Sequence, residues 1–512
     1  MANKFYITTP IYYVNAAPHI GHSYTTIAAD SLARYYRRAL GEGNVRFLTG
    51  TDEHGQKIQR AAEASGMAPL EFTNRIVPTF KKLWEKLNIS YDDFIRTTED
   101  RHVRTVQKVL EILNSKGEIY TSGYEGWYCT PCETFWTQMQ LIEGACPDCR
   151  RQVEKIKETN YFFKLSSHQD WLLRYIYEHP DFIRPASRYE EVVKFLELNK
   201  LNDLCISRPK ERLSWGIPFP FSPEHVTYVW FDALINYISA AGEFDAEGHY
   251  HSEWWGDDSV VVHLIGKDIL RQHAVYWPIM LQALGIRLPN TVFAHGWWMV
   301  GEDKMSKSRG NVVSALEMVD KYGLDAYRYF LLRDVPFGLD GNFSEEALVK
   351  RYNSDLANDL GNLVYRTLTM IEKYFNGAVP PESGFSYNKQ EEDIMGLIRS
   401  SPGVTVNTFA LSVGAHMQEF DFSSALEKIW DLVGKTNKYI EDKKPWNLAK
   451  EGNTVELQKF VFILVSVIRE VERCIAPFMP ATAESIRQQV GSSQIDKGNP
   501  LFPRIDTRKT SA

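Results

Sequence analysis

Apolar positions along this chain fall into two periods. "KFYITT" at 4–9 is short, β-branched and aromatic, and predicts a strand. Pro10 and Pro18 bracket a loop, and in "GHSYTTIAADSLARYYRRALG" Tyr24, Ala28, Leu32 and Tyr35 recur at helical spacing until Gly41 ends the run. "NVRFLTG" at 44–50 reads as a buried strand. Strand, helix, strand is a βαβ unit, so a parallel sheet with a helix on its face is expected. The same order returns at 259–298 as "SVVVHLIG", the helix "KDILRQHAVYWPIMLQALG" and the strand "NTVFAHGWW". The long stretch from Gly50 to Ser259 then splits one sheet, as an inserted domain would. From about Ser344 strand signals vanish and long helical segments take over, among them "DLANDLGNLVYRTLTMIEKYF" and "ALEKIWDLVGKTNKYIEDKKPW".

Composition narrows the class. A 512-residue chain that is 44% apolar and 13% aromatic can bury several cores. Its formal charge of -7 argues against non-specific coating of nucleic acid, so any polyanion must meet a localised basic surface. No charged start, apolar stretch and cleavage site precede the first strand, and the longest apolar run, "FVFILVSVI" at 460–468, is about half the ~20 residues of a membrane span. A soluble, cytoplasmic protein without membrane partners is expected.

The 6 cysteines are unevenly spread. Cys129 and Cys132, then Cys146 and Cys149, form two C-x2-C pairs separated by 13 residues, with the turn formers Gly144 in the intervening segment and Pro147 in the second pair. Four thiolates in this spacing suit one tetrahedral Zn2+; paired disulfides are the alternative, disfavoured in a reducing compartment. Cys205 and Cys474 stand among apolar neighbours and read as small core residues.

Open parallel sheets bind ligands beyond their strands' carboxyl ends, where strand order reverses. The loop after the first strand holds "PHIGH", with His19, Gly21 and His22 at the entry to a helix. A helix N-terminus suits phosphate, although the histidines of such a tetrapeptide alone are more often ordinary surface or cap residues. Far downstream, "DKMSKSRGN" sets Lys304 and Lys307 three apart on a glycine-bounded polar loop. "HIGH" and "KMSKS", in this order and context, resemble the paired signatures of class I aminoacyl-tRNA synthetases. "TTPIYYVNAAPHIGH", "FLTGTDEHGQKI", "DDFIRTTE", "YVWFDALINYISA", "HLIGKDILRQHAVYWP" and "KMSKSRGNVV" extend the resemblance over nearly the whole chain, to the methionyl-tRNA synthetase family.

That resemblance implies an α/β fold: a Rossmann-type parallel sheet split by an inserted zinc-knuckle domain, followed by an α-helical bundle that binds the anticodon. Its boundaries would be 1–118 and 228–300 for the catalytic halves, 119–227 for the insertion, 301–343 for the KMSKS loop and stem-contact region, and 344–512 for the bundle. It implies activation of L-methionine by ATP to methionyl-adenylate, then transfer to tRNA(Met), including the initiator tRNA. Asp52 would hold the methionine ammonium, with Ile11, Tyr13, Trp230, Ala233, Tyr237, Ile269 and His273 around the side chain. By spacing alone, Trp230 and Tyr237 are equally a core stripe of one helix. The ATP side would comprise His19, Gly21, His22, His295, Lys304 and Lys307, with Mg2+ accompanying the nucleotide and His19, His22 and both lysines serving catalysis. One structural Zn2+ would sit on the four clustered cysteines.

In the helical region, Leu356, Leu360, Leu363, Val364 and Leu368 make an apolar stripe, leaving Asn362 and Arg366 on the opposite face. Trp446, after Pro445 and beside Lys443 and Lys444, suits stacking of an anticodon base next to phosphate-binding cations; the alternative is a buried tryptophan. The family's anticodon readers resemble these three positions. Two rivals are another class I synthetase, which for leucine, valine or isoleucine would need a larger editing insertion, and an idle tRNA-binding module. The helical region runs nearly to the end of this sequence, from which a monomer is expected.

Overall fold

The computed structural model describes residues 3–14, 20–130, 134–136, 138–300, 303–304, 313–400 and 406–506, with backbone alone for Tyr124, Thr134, Phe135, Val300, Asp303 and Lys304. His19, Cys132 and Lys307 lie outside the described residues, as does the side chain of Lys304. The chain divides into two compact units, Met1–His295 and Gly296–Ala512.

The first unit is built on a parallel sheet. Lys4–Thr8 pairs with Val45–Asp52 on one side and with Ser259–Gly266 on the other, and Ser259–Gly266 pairs in turn with Thr291–His295. Around Val45–Asp52, Thr9 and Val14 N–H donate to Leu48 and Asp52 carbonyls, whereas Asp92 and Thr97 N–H donate to those of Phe47 and Thr51. Alternate carbonyls face opposite ways, so Tyr12–Tyr13 continues the edge used by the first strand and Asp93–Arg96 takes the other. Strand order therefore reverses between Lys4–Thr8 and Ser259–Gly266. Helix Ile20–Leu40 follows the first strand, its buried face including Tyr24, Ala28 and Leu32, and Gly41 ends it at φ 96°.

Gly50 shows how tightly this sheet is packed. A Cβ there would lie 2.1 Å from the Ile95 carbonyl oxygen on the neighbouring strand.

The insertion is less separate than its sequence suggests. Ile119–Cys129, Glu154–Phe163, Thr134–Trp136 and Leu204–Cys205 form an antiparallel sheet of their own. Yet Ile183–Arg184, inside 119–227, joins the main sheet beside Thr291–His295. Ile119, Phe163, Leu172, Ile176 and Ile206 also share one core with Tyr6, Leu48 and Val261. A strand of two residues carries too little pattern to be read from sequence.

Two expected elements differ. The helix after Ser259–Gly266 runs as a short 3₁₀ turn Lys267–Ile269, a wide π-type turn Gln272–Tyr276 and a regular helix Trp277–Leu284. The expected strand at 290–298 stops at His295, and Trp298–Val300 enters a small sheet of the second unit between Asp303–Lys304 and Gly341–Asn342. A Cβ on Gly296, at the break, would lie 2.1 Å from the Leu339 carbonyl oxygen.

Beyond that sheet the second unit is helical. Leu356, Leu360, Leu363, Val364 and Leu368 are all buried as the stripe predicts, but Tyr352–Gly361 is again a wide π-type turn and the regular helix begins at Asn362. Arg328, fully buried on helix Leu324–Arg333, donates to the carbonyls of Phe478 and Pro477, making residues near 328 one body with the bundle. "FVFILVSVI" lies within helix Thr454–Ile475, and among the described residues no helix is long and apolar enough to cross a membrane.

Gly50→Ala should cost about 1–3 kcal/mol, because the strands must separate to admit the methyl group. Urea unfolding should show a lower midpoint at an unchanged slope; an unchanged midpoint would contradict this packing.

Candidate active site

The reversal of strand order gathers side chains from distant sequence at the strands' carboxyl ends. Thr8 stands in register with His263, and the two are joined at 2.7 Å between Oγ1 and Nδ1. Trp277 Nε1–H donates to His263 Nε2 at 3.2 Å, so Nε2 is the acceptor and Nδ1–H donates to Thr8. The Tyr237 ring stacks on His263 with centroids 4.1 Å apart, and its hydroxyl meets His273 Nε2 at 2.7 Å. His273 Nδ1 in turn lies 2.9 Å from the Ile269 carbonyl, which can only accept. The ring is therefore protonated at Nδ1, and Nε2 accepts from Tyr237.

Burial drives both histidines toward neutrality. It holds His263 well below its ordinary pKa and lowers His273 to about 4, against a smaller upward pull from the Ile269 hydrogen bond and Asp268. Together with the buried Tyr237 this makes an aromatic, uncharged wall. The wide turn Gln272–Tyr276 carries His273 toward Tyr237, and a 3.6-residue reading of the sequence has no signal for such a widening.

Asp52 and Tyr13 are register neighbours across from this wall's strand set, Asp52 buried and Tyr13 half-buried with Lys57 Nζ 5.4 Å from its ring centroid. Ile11 and Ile269 pack, partly buried, against the main core. Trp230 and Ala233 lie on the short helix Val229–Leu234, whereas Tyr237 belongs to a second one, Asn236–Ala241. The single-helix stripe is thus broken at Ile235; Tyr237 is buried and Trp230 half-buried. On the far side of the switch point, His295 ends its strand with Nε2 2.6 Å from Thr25 Oγ1 and its ring 5.1 Å from that of Tyr24. Gly21 and His22 occupy the first described turn of that helix, His22 packed edge-on against Tyr12 at 4.9 Å. A Cβ on Gly266 would come within 2.5 Å of Asp268 Oδ1, so this strand end is narrow.

Residues not singled out in the sequence hold these groups in place. Asp232, fully buried on the helix of Trp230, takes His54 Nδ1 at 2.7 Å and His102 Nε2 at 2.8 Å. Burial alone would push its carboxyl up; the charge of His54 and the hydrogen bonds from both imidazoles outweigh this and keep it below the usual range. The loop after Asp52 is thereby tied to the helix bearing Trp230 and Ala233. Glu53, also fully buried, is gripped by Arg96 at 2.7 and 2.8 Å and by Thr51 and Thr98 hydroxyls. The signal in the sequence is "TDEHG", three ionisable residues in succession at a strand end, of which the family resemblance singles out Asp52 alone.

At the knuckle, the sulfur atoms of Cys129, Cys146 and Cys149 all lie within 4.8 Å of one another, Cys129 and Cys149 at 3.5 Å. Zn–S bonds of ~2.3 Å in a tetrahedron require sulfurs about 3.8 Å apart, so the three thiols fit a metal ion. Cys129, Cys146 and Trp136 form a small buried cluster, too few residues to hold the fold around them unaided. Cys205 and Cys474 are buried, as expected of core residues.

In the helical unit Asn362 is exposed and Arg366 half-exposed on one helix, and Trp446 is 41% exposed on the short helix Pro445–Lys450. Trp446 is therefore no core residue.

A family described as "tRNA synthetases class I (M)" matches residues 5–157 and 151–368, and the anticodon-binding domain of tRNA ligases matches 405–505. Sheet, switch point and helical region are those of a class I aminoacyl-tRNA synthetase. The chain is 49% identical to the methionine–tRNA ligase of Caldanaerobacter subterraneus, over all of this chain and 80% of that protein, and 44% identical to that of Thermotoga maritima, over 99% and 81%. The solved Mycobacterium tuberculosis methionyl-tRNA synthetase in complex with methionyl-adenylate superposes with a TM-score of 0.89 at 38% identity, covering 98% of this chain and 100% of that one; its apo form gives 0.84 at 35%, covering 99% of each. This chain belongs to the methionine–tRNA ligase family.

The neutral His273 has a consequence for pH. Its folded pKa lies below the unfolded value, so its contribution to stability is complete above about pH 6.5 and is lost as pH falls toward 4, on the order of 3 kcal/mol in all. His273→Gln should therefore lose less stability than wild type between pH 7 and 4.5 in denaturant titrations. His263 acts in the same sense and remains, so the slope should shrink without vanishing; an unchanged slope would mean His273 is charged in the fold.

Proposed function

We propose that this chain activates L-methionine with ATP and charges tRNA(Met), the initiator species included, in the cytoplasm. A methionine carboxylate oxygen attacks the α-phosphorus, the bond to the bridging oxygen of pyrophosphate breaks, and methionyl-adenylate remains. A ribose hydroxyl at the tRNA 3′ end then attacks the methionyl carbonyl, and AMP leaves. Family membership carries the reaction; the uncharged Tyr237–His273 wall supports methionine as its substrate. A thioether prefers aromatic, apolar surroundings, and a cationic wall would have favoured an acidic side chain.

In this reading Asp52 takes the ammonium, and Ile11, Tyr13, Trp230, Ala233, Tyr237, Ile269 and His273 enclose the side chain. His19, Gly21, His22 and His295 receive ATP, whose Mg2+ comes with the nucleotide. Lys304 and Lys307 supply cations to the leaving pyrophosphate. Asn362, Arg366 and Trp446 read the anticodon, Trp446 by stacking. Most of the acceleration comes from orientation and charge placement, with no covalent enzyme intermediate.

Cys129, Cys132, Cys146 and Cys149 would hold one Zn2+, which supplies folding free energy to the knuckle and takes no part in the reaction. A monomer is the companion proposal, tested by light scattering.

Methionine-dependent ATP–pyrophosphate exchange without tRNA tests the reaction directly. Lys307→Ala should lower its kcat by about 10²- to 10³-fold with methionine binding retained, since the lost charge counts mainly in the transition state. Exchange with another amino acid in place of methionine would sink the reading. Cys146→Ala should bring zinc measured by elemental analysis close to zero and make the 119–163 sheet susceptible to limited proteolysis; full metal content in the variant would remove the cysteine site.

A further inference from the structure

The turn that presents Trp446 is held by a buried charge. Helix Phe422–Lys443 ends at Lys444, which sits at φ 49° and ψ 62°, and Pro445 at once begins the helix bearing Trp446. A left-handed conformation at a residue other than glycine persists only where its surroundings enforce it. The residue before Lys444, Lys443, is bound by Glu391 on helix Lys389–Ile398. Its carboxylate is fully buried and receives Lys443 Nζ at 2.7 Å, Lys459 Nζ at 3.0 Å, the Tyr439 hydroxyl at 2.9 Å and Asn388 N–H at 3.0 Å. Burial pushes this carboxyl up, but those donors prevail and bring it to about 2. Glu456 lies 3.7 Å from the same Lys443 ammonium. In the preceding residues of this final turn, Glu441 takes Arg366 Nη1 at 2.6 Å. One turn of helix is thus tied to Arg366 on one side and to Glu391 on the other.

Lys443 is consequently engaged inside the protein, contrary to its expected part as a phosphate-binding cation; Lys444 is the exposed lysine of the pair. We propose that Glu391 is a positioning residue for anticodon reading, which through Lys443 sets the 443–446 turn and so holds Trp446 in register with Arg366. The proposal rests on the assignment of Asn362, Arg366 and Trp446 to the anticodon. Glu391 touches no RNA in this scheme; it acts by fixing where the aromatic face stands.

Three variants of the full chain separate the possibilities: Glu391→Gln, Lys443→Met and Trp446→Ala. Lys443→Met leaves Glu391 bonded to Lys459, Tyr439 and Asn388, so it cuts the link to the turn while keeping the buried carboxylate paired. Each is assayed for tRNA-independent ATP–pyrophosphate exchange, for kcat and KM with a tRNA(Met) transcript, and for kcat/KM with an anticodon-substituted transcript. Glu391→Gln and Lys443→Met should raise KM for tRNA(Met) by about 10- to 100-fold, with kcat at saturation and exchange close to wild type, and should narrow the preference over the substituted transcript. A purely structural role would not move that preference. If Trp446→Ala impairs charging while Lys443→Met leaves KM and preference unchanged, the positioning role is overturned. It is equally overturned if exchange falls in parallel with charging. Wild-type charging by Trp446→Ala would instead remove the anticodon assignment, and the inference with it.

Discussion

Lys4–Thr8 and Ser259–Gly266 are distant in sequence and adjacent in space, and their parallel pairing is the constraint on which the candidate site depends. The pairing sets Thr8 opposite His263, and from that contact the hydrogen bonds run outward: Trp277 to His263, the Tyr237 ring on the His263 face, Tyr237 to His273. A slip of one residue would turn His263 to the other face of the sheet and remove the surface on which Tyr237 stacks. Strand order reverses there, and His295 with Thr25 and Asp52 with Tyr13 stand at separate strand ends on its two sides.

Three buried carboxylates share one arrangement. An ionised carboxylate deprived of water loses several kcal/mol unless its oxygens are taken up by donors, and removing one partner from such a set is far costlier than breaking a surface pair. Glu53 meets Arg96 and two hydroxyls, Asp232 meets two imidazoles, and Glu391 meets two ammonium groups, a hydroxyl and an amide. Each set also joins elements that are remote in sequence. Glu53 links two strand ends, Asp232 links a strand-end loop to two helices, and Glu391 links three helices of the bundle. The exposed pairs, such as Lys389–Asp393, contribute little by comparison. Opposite to these clusters stands the wall of Tyr237, His263 and His273, where burial removes charge and leaves a polar but neutral surface.

Much was legible in the sequence because it was local. Strand and helix periods around 4–50 and 259–295 identified the split sheet, the C-x2-C pairs located the knuckle, and the stripe from Leu356 to Leu368 identified the buried face of its helix. These signals depend only on neighbours a few residues apart, and periodicity reports them. Family motifs added the candidate residues, which no spacing could have assigned to methionine or ATP.

What only the tertiary structure decided is every relation between such segments. Lys443 reads as an exposed cation beside Trp446 until the fold brings Glu391 within 2.7 Å of it. Asp232 reads as one more helical carboxylate until His54 and His102 close on it from elements more than a hundred residues away. The wide turn at Gln272–Tyr276 brings His273 to the Tyr237 hydroxyl without altering the apolar pattern. Hydrophobic burial acts on each residue nearly independently, so a single sequence encodes it openly. Directional bonds between ionisable groups, and the pKa values they set, exist only once chain folding has chosen the partners.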